Sequence, residues 1–334
     1  MNKGLVRHHS LKAFCEGLKK RGNFLLASHV NPEGDAVGSL IAVEAVLKRL
    51  GKKAMIVCED PFPERLHCLR YRGRWNRYRD SDHRKLRFDA LVVADCPTLE
   101  RIGKVKELVR PGMAIFNIDH HISNARFGHY NYVKPKAAAC GEVIYEIMKK
   151  LRLPLTKSEA IPLYVSLSTD TGSFKYSNTS VRAHRIAAEL IRTGIDIDRI
   201  NEELYATYSL NKIQLYSRLL GKVETAFGGK VAWVAMSRMD LKHSGATYED
   251  TEGFIDFLKY LKEVKVAFFL SEMKSPTEVK VSFRSKEEYD VNRIATAFGG
   301  GGHKKASGCT IQRSPREAVD AVLKEIRKQT RFKN

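Results

Sequence analysis

Acidic and imidazole side chains fall in four groups through the first half of this 334-residue sequence: His29, Glu33 and Asp35; Asp95; Asp119, His120 and His121; and Asp170. Carboxylates with a few imidazoles form an oxygen-rich ligand set that suits manganese better than a thiolate-loving metal. An ion held by such a set would activate water and polarise a phosphoryl oxygen, with no need for a general base of unusual pKa. Singly, each residue says little, because an Asp closing a strand is more often a cap or turn former than a ligand. The six cysteines (Cys15, Cys58, Cys68, Cys96, Cys140, Cys309) contain no C-x-x-C pair. Reduced core thiols are expected, not a zinc ribbon.

Residues so far apart in sequence converge only if a parallel sheet carries them to one edge. Short apolar runs with polar C-terminal ends predict such strands at FLLASH (24–29), KKAMIVCED (52–60), FDALVVADC (88–96) and MAIFNIDHH (113–121). Helices are expected over 36–50, 137–151, 158–174, with Pro162 in its first turn, and 180–194, ended by glycine. From Ile195 to about Lys222 the text is polar and helical. Beyond it, KVAWVAMSR (230–238), VKVAFFLSEM (264–273) and EVKVSFRS (278–285) read as strands, with helical stretches at 249–262, 290–298 and 315–329. The expectation is an α/β protein: an N-terminal parallel-sheet domain with helices on both faces (1–196), a helical linker (197–222) and a smaller α+β domain (223–330).

The strings H-x-N-P-E-G-D-A-x-G-S, V-A-D-C, D-H-H and S-T-D-T-G-S-F stand in this order at the ends of successive elements. In them the chain resembles the DHH phosphoesterases. F-R-S (283–285) and G-G-G-G-H-K-K-A-S-G (299–308) resemble the DHHA1 substrate domain of the same family, so the likeness runs from about Phe24 to Ile311. The compact two-domain nano-RNases, which degrade very short RNAs and often dephosphorylate 3′-phosphoadenosine 5′-phosphate, are the members it most resembles. The resemblance implies two manganese ions, one on His29, Glu33 and Asp95 and the other on Asp35, Asp95, His120 and Asp170. Asp119 would orient a neighbouring histidine, and His121 would contact the scissile phosphate or the leaving oxygen. Arg284 and the Gly300, Gly301, Gly302 and His303 loop would hold the substrate's phosphates or terminal base, since a guanidinium and a run of backbone N–H groups both suit an anion.

One position departs from the family pattern: Glu33 stands where the motif has Asp, adding a methylene and a torsion. The loop adjusts and Glu33 still ligates, or it ligates through water, or the first site is weakened; the first is expected, because the charge is retained.

Lys plus Arg (58) exceed Asp plus Glu (38) by 20, which favours polyanionic partners. Nine cations between Arg65 and Arg87 are interleaved with Tyr71, Trp75 and Tyr78, a pattern suited to single-stranded nucleic acid, with phosphates on arginines and bases on rings. The bland counterpart is a basic surface with aromatics packed beneath it. No stretch approaches eighteen apolar residues and the N-terminus lacks an apolar export core, so a cytoplasmic enzyme without membrane contact is expected. The function expected is an exonuclease-like phosphodiesterase on short oligoribonucleotides that releases nucleoside monophosphates, with a second activity as a 3′-phosphoadenosine 5′-phosphate phosphatase. The alternatives are a cyclic or linear dinucleotide phosphodiesterase and, from another class, a nucleic-acid-binding module with a decayed metal site.

Overall fold

The computed structural model describes residues 10–79, 83, 85–206, 208–273, 275, 277–286, 289–330 and 332, apart from the side chains of Arg72 and His303. The chain divides into two compact units, Met1–Thr207 and Tyr208–Asn334.

The first unit contains α1 (Leu11–Lys19), β1 (Asn23–Ala27), α2 (Gly34–Arg49), β2 (Lys53–Cys58), β3 (Asn76–Arg77), β4 (Ala90–Ala94), β5 (Ala114–Asp119), β6 (Tyr130–Val133), α3 (Cys140–Lys150), α4 (Lys157–Asp170), α5 (Val181–Ile191) and α6 (Ile197–Tyr205). Its strands form a parallel sheet in the order β3-β2-β1-β4-β5-β6. NFLLA, ALVVA and AIFNID are apolar without alternation because both faces are covered. Phe24, Leu26, Val92 and Phe116 pack with residues of α1 to α5 on one face. Leu25, Ala27, Leu91 and Val93 meet Ile102, Val105 and Leu108 on the other. That second cover, Leu99–Leu108, is wound as 3₁₀ turns broken at Gly103.

Several elements differ from expectation. Pro162 is the sixth residue of α4 and lies in the second turn rather than the first. The short strands β3 and β6 carry too few apolar residues to announce themselves.

The second unit contains α7 (Leu210–Leu220), β7 (Glu224–Ala226), β8 (Val231–Met236), α8 (Arg238–Ser244), α9 (Phe254–Tyr260), β9 (Val266–Glu272), β10 (Val279–Ser285), α10 (Val291–Thr296), β11 (Gly301–His303), β12 (Ala306–Ile311) and α11 (Pro315–Thr330). The strand order is β11-β12-β10-β9-β8-β7, with β8 and β9 parallel and the other pairs antiparallel. Val281, Phe283 and Phe268 face one apolar layer, and Ala267 and Phe269 face another. The stretch 197–222 contains α6, in the first unit, and α7, in the second, with the division at Thr207 and Tyr208 between them. Among the described residues no helix is long and apolar enough to cross a membrane.

Candidate metal centre

His29, Asp95 and the Asp119–His121 triplet stand where β1, β4 and β5 end, so the parallel sheet delivers them to one edge. Asp95 has φ 54°, a left-handed conformation uncommon outside glycine, and its N–H donates to the Ile118 carbonyl at 2.9 Å, tying it to β5. Asp35 comes from the first turn of α2, and Asp170 is the last residue of α4. Those two helices meet closely because Gly34 and Gly38 lack side chains. A Cβ on Gly34 would lie 2.4 Å from the Thr169 side chain, and one on Gly38 would lie 2.3 Å from the Pro162 carbonyl oxygen.

Three carboxylates therefore surround one imidazole nitrogen. His120 Nε2 lies 3.6 Å from Asp35 Oδ2, from Asp95 Oδ1 and from Asp170 Oδ2. His29 Nε2 is 3.7 Å from Asp95 Oδ2, and His121 Nδ1 is 3.6 Å from Asp95 Oδ1. Such separations are too long for hydrogen bonds and approach those between two atoms that share an ion at about 2.1 Å.

Asp95 Oδ1 is buried, and among the described residues no donor reaches it. A buried carboxylate oxygen left without a donor is costly, and a cation removes that cost. The donor set agrees with a divalent metal that prefers oxygen and imidazole. Cys140 lies in the same neighbourhood, but its thiol donates to the Ile118 carbonyl at 3.4 Å and burial raises its pKa well above the usual range.

Among the described residues, atoms able to ligate one ion group as Asp95, Asp119, His120 and His121, and as Asp35, His120 and Asp170. His29 joins through Asp95 alone. Glu33 belongs to neither group: its exposed side chain caps nothing, although the residue occupies the N-cap of α2.

Surrounding groups orient the imidazoles. His29 Nδ1 is 2.9 Å from the Val30 carbonyl and His120 Nδ1 is 3.2 Å from the Ala137 carbonyl. Carbonyls only accept, so each Nδ1 carries hydrogen and each Nε2 turns toward the carboxylates. Asp119 is already engaged: Oδ1 accepts the N–H of His120 at 2.7 Å, the N–H of His121 at 3.2 Å and His121 Nδ1 at 2.7 Å, while Asn124 donates to Oδ2.

Charge is unevenly distributed. Burial, then Asp95 and Asp170, push the Asp35 carboxyl far above its ordinary range. Burial also raises Asp170. Burial works against ionised Asp95, yet His29, His120 and His121 outweigh it and hold the carboxyl low. For His120 burial is again opposed, by Asp35, Asp170, Asp95 and Asp119, and the imidazole is raised.

Ser39, the last residue of the first motif, donates to Asp35 Oδ1. Residues that the motifs did not mark complete the centre: Ser166 also donates to Asp35 Oδ1, and the N–H of Cys140, at the start of α3, donates to Asp35 Oδ2 at 2.7 Å. Asn178 holds the Asp170 carbonyl at 3.0 Å. The usable signal was small residues at helical spacing on α2 and α4, which mark close helix packing but name no partner.

A model of the DHH family, N-terminal domain, matches residues 23–167, and a model of the DHHA1 domain matches residues 220–331. The bifunctional oligoribonuclease and PAP phosphatase NrnA of Thermus thermophilus is 31% identical over 96% of this chain and 94% of its own. The chain belongs to the DHH family. The same-named protein of Bacillus subtilis is 26% identical over 86% of this DHH chain and 88% of its own. A crystal structure of an exopolyphosphatase-related protein from Bacteroides fragilis superposes with a TM-score of 0.90 at 25% identity, covering 95% of each chain. Membership makes this DHH chain a phosphoesterase hydrolase, and its two sheets are those of the DHH and DHHA1 domains.

In the DHHA1 domain, Arg284 of β10 stands opposite Ala306 of β12, which stands opposite His303 of β11. The Arg284 side chain is about one-third exposed and its Nε lies 3.8 Å from Asp256 Oδ1. The side chain of His303 lies outside the described residues. The glycine run is a strand entry rather than an open loop. Gly299, with φ 74°, and Gly300 end α10 through bonds to Thr296 and Ala295 carbonyls, and Gly301 and Gly302 pair with β12. A Cβ on Gly300 would lie 2.2 Å from the Gly308 carbonyl oxygen.

In the arginine-rich stretch of this DHH chain two of the three rings are buried and the third is partly so. Tyr71 and Tyr78 are buried, and Trp75 packs on Phe62 while donating to the Asp60 carbonyl at 3.0 Å. Of the two readings of this stretch, the burial of Tyr71 and Tyr78 favours aromatics packed beneath a basic surface of Arg65, Arg70, Arg74, Arg77, Arg79, Lys85 and Arg87. Arg84 and the side chain of Arg72 are outside the described residues.

Proposed function

We propose that the chain is a metal-dependent phosphodiesterase that shortens oligoribonucleotides to nucleoside monophosphates and also removes the 3′-phosphate of 3′-phosphoadenosine 5′-phosphate. The observation that carries the reading is the orphaned Asp95 Oδ1 among His120, His121 and two further carboxylates. Relatives at 31% and 26% identity bear names that state both activities. His29, Glu33 and Asp95 would hold one ion and Asp35, Asp95, His120 and Asp170 the second, manganese best matching the donors. When bound, the ions supply Lewis-acid polarisation of a phosphoryl oxygen and a water of lowered pKa.

The chain's own residues do the rest. His121 donates Nδ1–H to Asp119, which fixes its ring and favours the imidazolium, whose Nε2–H would deliver a proton to the departing oxygen. Asp119, saturated by four donors, acts as a positioning residue. Arg284 and the register of His303 with Ala306 would place substrate phosphate on residues 223–330, the substrate-binding part of the chain. All six cysteines are free and five are buried, in keeping with a reducing cytoplasmic compartment.

The test is a panel with manganese: a dinucleotide, a longer RNA, 3′-phosphoadenosine 5′-phosphate and cyclic dinucleotides, compared by kcat/KM. Preference for the linear dinucleotide is expected. Inactivity on every member, with RNA retained and no metal bound, would favour a binding module instead.

A further inference from the structure

With Tyr71 and Tyr78 buried, the exposed cations of the arginine-rich stretch take no part in the metal centre, yet they are not evenly spread. Arg77, at the end of β3, and Arg79 line a cavity of about 270 Å³ with Glu59, Tyr78 and Lys104. Tyr78 is buried there and donates its hydroxyl to Glu107 Oε2 at 3.2 Å. Glu59 is committed to the fold: Oε2 accepts the Lys104 N–H at 2.6 Å, and a Cβ on Gly103, which has φ 64°, would sit 1.7 Å from that oxygen. Arg77 Nε donates to the Glu59 carbonyl at 3.2 Å, which holds its guanidinium at the cavity wall. Among the described residues, three exposed cations thus line the cavity with one carboxylate, Glu59, which the backbone already uses.

The cavity and the metal centre share an edge of the sheet. Cys58 pairs with Arg77, so Glu59 follows the end of β2 as Asp95 follows the end of β4. One loop joins the two places, beginning at Asp95, bonded midway from Val30 N–H to the Arg101 carbonyl at 2.8 Å, and reaching the cavity wall at Lys104. In the order β3-β2-β1-β4 the two lie three strand steps apart, about 14 Å at usual strand spacing.

We propose that this cavity binds a backbone phosphate of an oligoribonucleotide whose reacting end lies at the acid–histidine cluster, so that it favours substrates longer than a dinucleotide. The inference rests on the oligoribonuclease reading above. The only internucleotide phosphate of a dinucleotide is at the reacting centre, whereas a chain of several nucleotides can span that distance. With Tyr78 buried and, among the described residues, no exposed ring in the cavity wall, the contact reads charge and not base, and weakens with salt.

The test is the triple variant Arg77→Gln, Arg79→Gln, Lys104→Gln in the full chain, which leaves every proposed metal ligand intact. For an oligoribonucleotide of about eight nucleotides, KM is expected to rise about five- to tenfold at low salt with kcat unchanged, and the salt slope to fall by roughly one. Turnover of the dinucleotide and of 3′-phosphoadenosine 5′-phosphate is expected to stay within about twofold, since neither reaches the cavity. Equal KM values for variant and wild type on the longer substrate overturn the proposal, and so does an equal loss on both lengths. If the wild type hydrolyses no oligoribonucleotide, the underlying reading fails separately. Fluorescence anisotropy with the labelled oligonucleotide then judges the cavity alone: weaker binding by the variant supports it, and unchanged binding overturns it.

Discussion

Asp95 Oδ1 and His120 Nε2 face each other across 3.6 Å, and among the described residues no donor reaches the buried carboxylate oxygen. An acceptor and an imidazole turned toward each other but not bonded is the arrangement expected if both are ligands of one cation, as proposed. Asp95 is also the residue common to both proposed ligand sets. Its left-handed backbone makes Asn the informative replacement, because Asn tolerates that conformation as Asp does. Asp95→Asn is expected to lower kcat by at least about 10²-fold, more than loss of an outer hydrogen bond. Manganese at about a hundredfold excess over its Kd should stabilise the wild type by about 2.7 kcal/mol, and this variant much less. Thermal scans with and without metal measure the difference. A variant that keeps both turnover and the metal-induced shift sinks the shared-ligand assignment.

Glu33 tests whether charge or chain length matters at the one position that departs from the family pattern. It is exposed and outside both ligand groups, so its carboxylate must move to reach a metal. Glu33→Gln removes the charge and is expected to cost about 10–100-fold in metal affinity or activity. Glu33→Asp keeps the charge and is expected to remain within about tenfold of wild type, given the cost of small displacements near a reacting centre. Metal titration beside kcat/KM distinguishes the cases. Wild-type affinity in Glu33→Gln would remove the residue from the ligand set.

The strand ends were legible because β1, β4 and β5 are apolar runs closed by polar residues, and position there is chemistry. Less legible was anything decided by packing partners. Tyr71 and Tyr78 sit among arginines in sequence, yet each fills the core of the sheet face above it, because a large ring gains more from burial than from a wet surface. Gly299 to Gly302 read as a loop, although Gly301 and Gly302 pair with β12, a strand whose residues Ala306, Ser307 and Gly308 have little strand propensity. Ser166 gave no sign that it serves Asp35, from 131 residues away.

Gly38 links the fold to the centre. A Cβ there would press on the Pro162 carbonyl oxygen at 2.3 Å, and a backbone atom cannot rotate aside as a side chain can. Gly38→Ala should gain up to about 1 kcal/mol from helix propensity but lose about 1–3 kcal/mol through overpacking. Separation of α2 from α4 also parts Asp35 from Asp170, so kcat should fall although no ligand has changed. Urea midpoints and kcat measured together decide it; unchanged values in both would mean that the helices do not rely on this contact.

In the DHHA1 domain, Asp240 predicts how stability depends on pH. Burial opposes its charge, but Lys222 Nζ donates to both oxygens at 2.6 and 2.7 Å and Ser237 donates its N–H at 2.9 Å and its hydroxyl at 2.8 Å. These partners outweigh burial and hold the carboxyl below its ordinary value. A group lowered in the folded state binds its proton more readily when unfolded, so it stabilises above the unfolded pKa of about 4 and stops doing so as pH falls through the folded value. Asp240→Asn should cost about 1.5–3 kcal/mol at pH 7, the range for bonds to a charged group, toward the low end because Lys222 is 43% exposed. The gap between variant and wild type should be constant down to about pH 5 and close below about pH 4. Urea unfolding of the full chain followed by Trp233 fluorescence, in a Trp75→Phe background, reports on the sheet that carries Trp233. A gap that widens on acidification would mean that Asp240 is not stabilised by its charge.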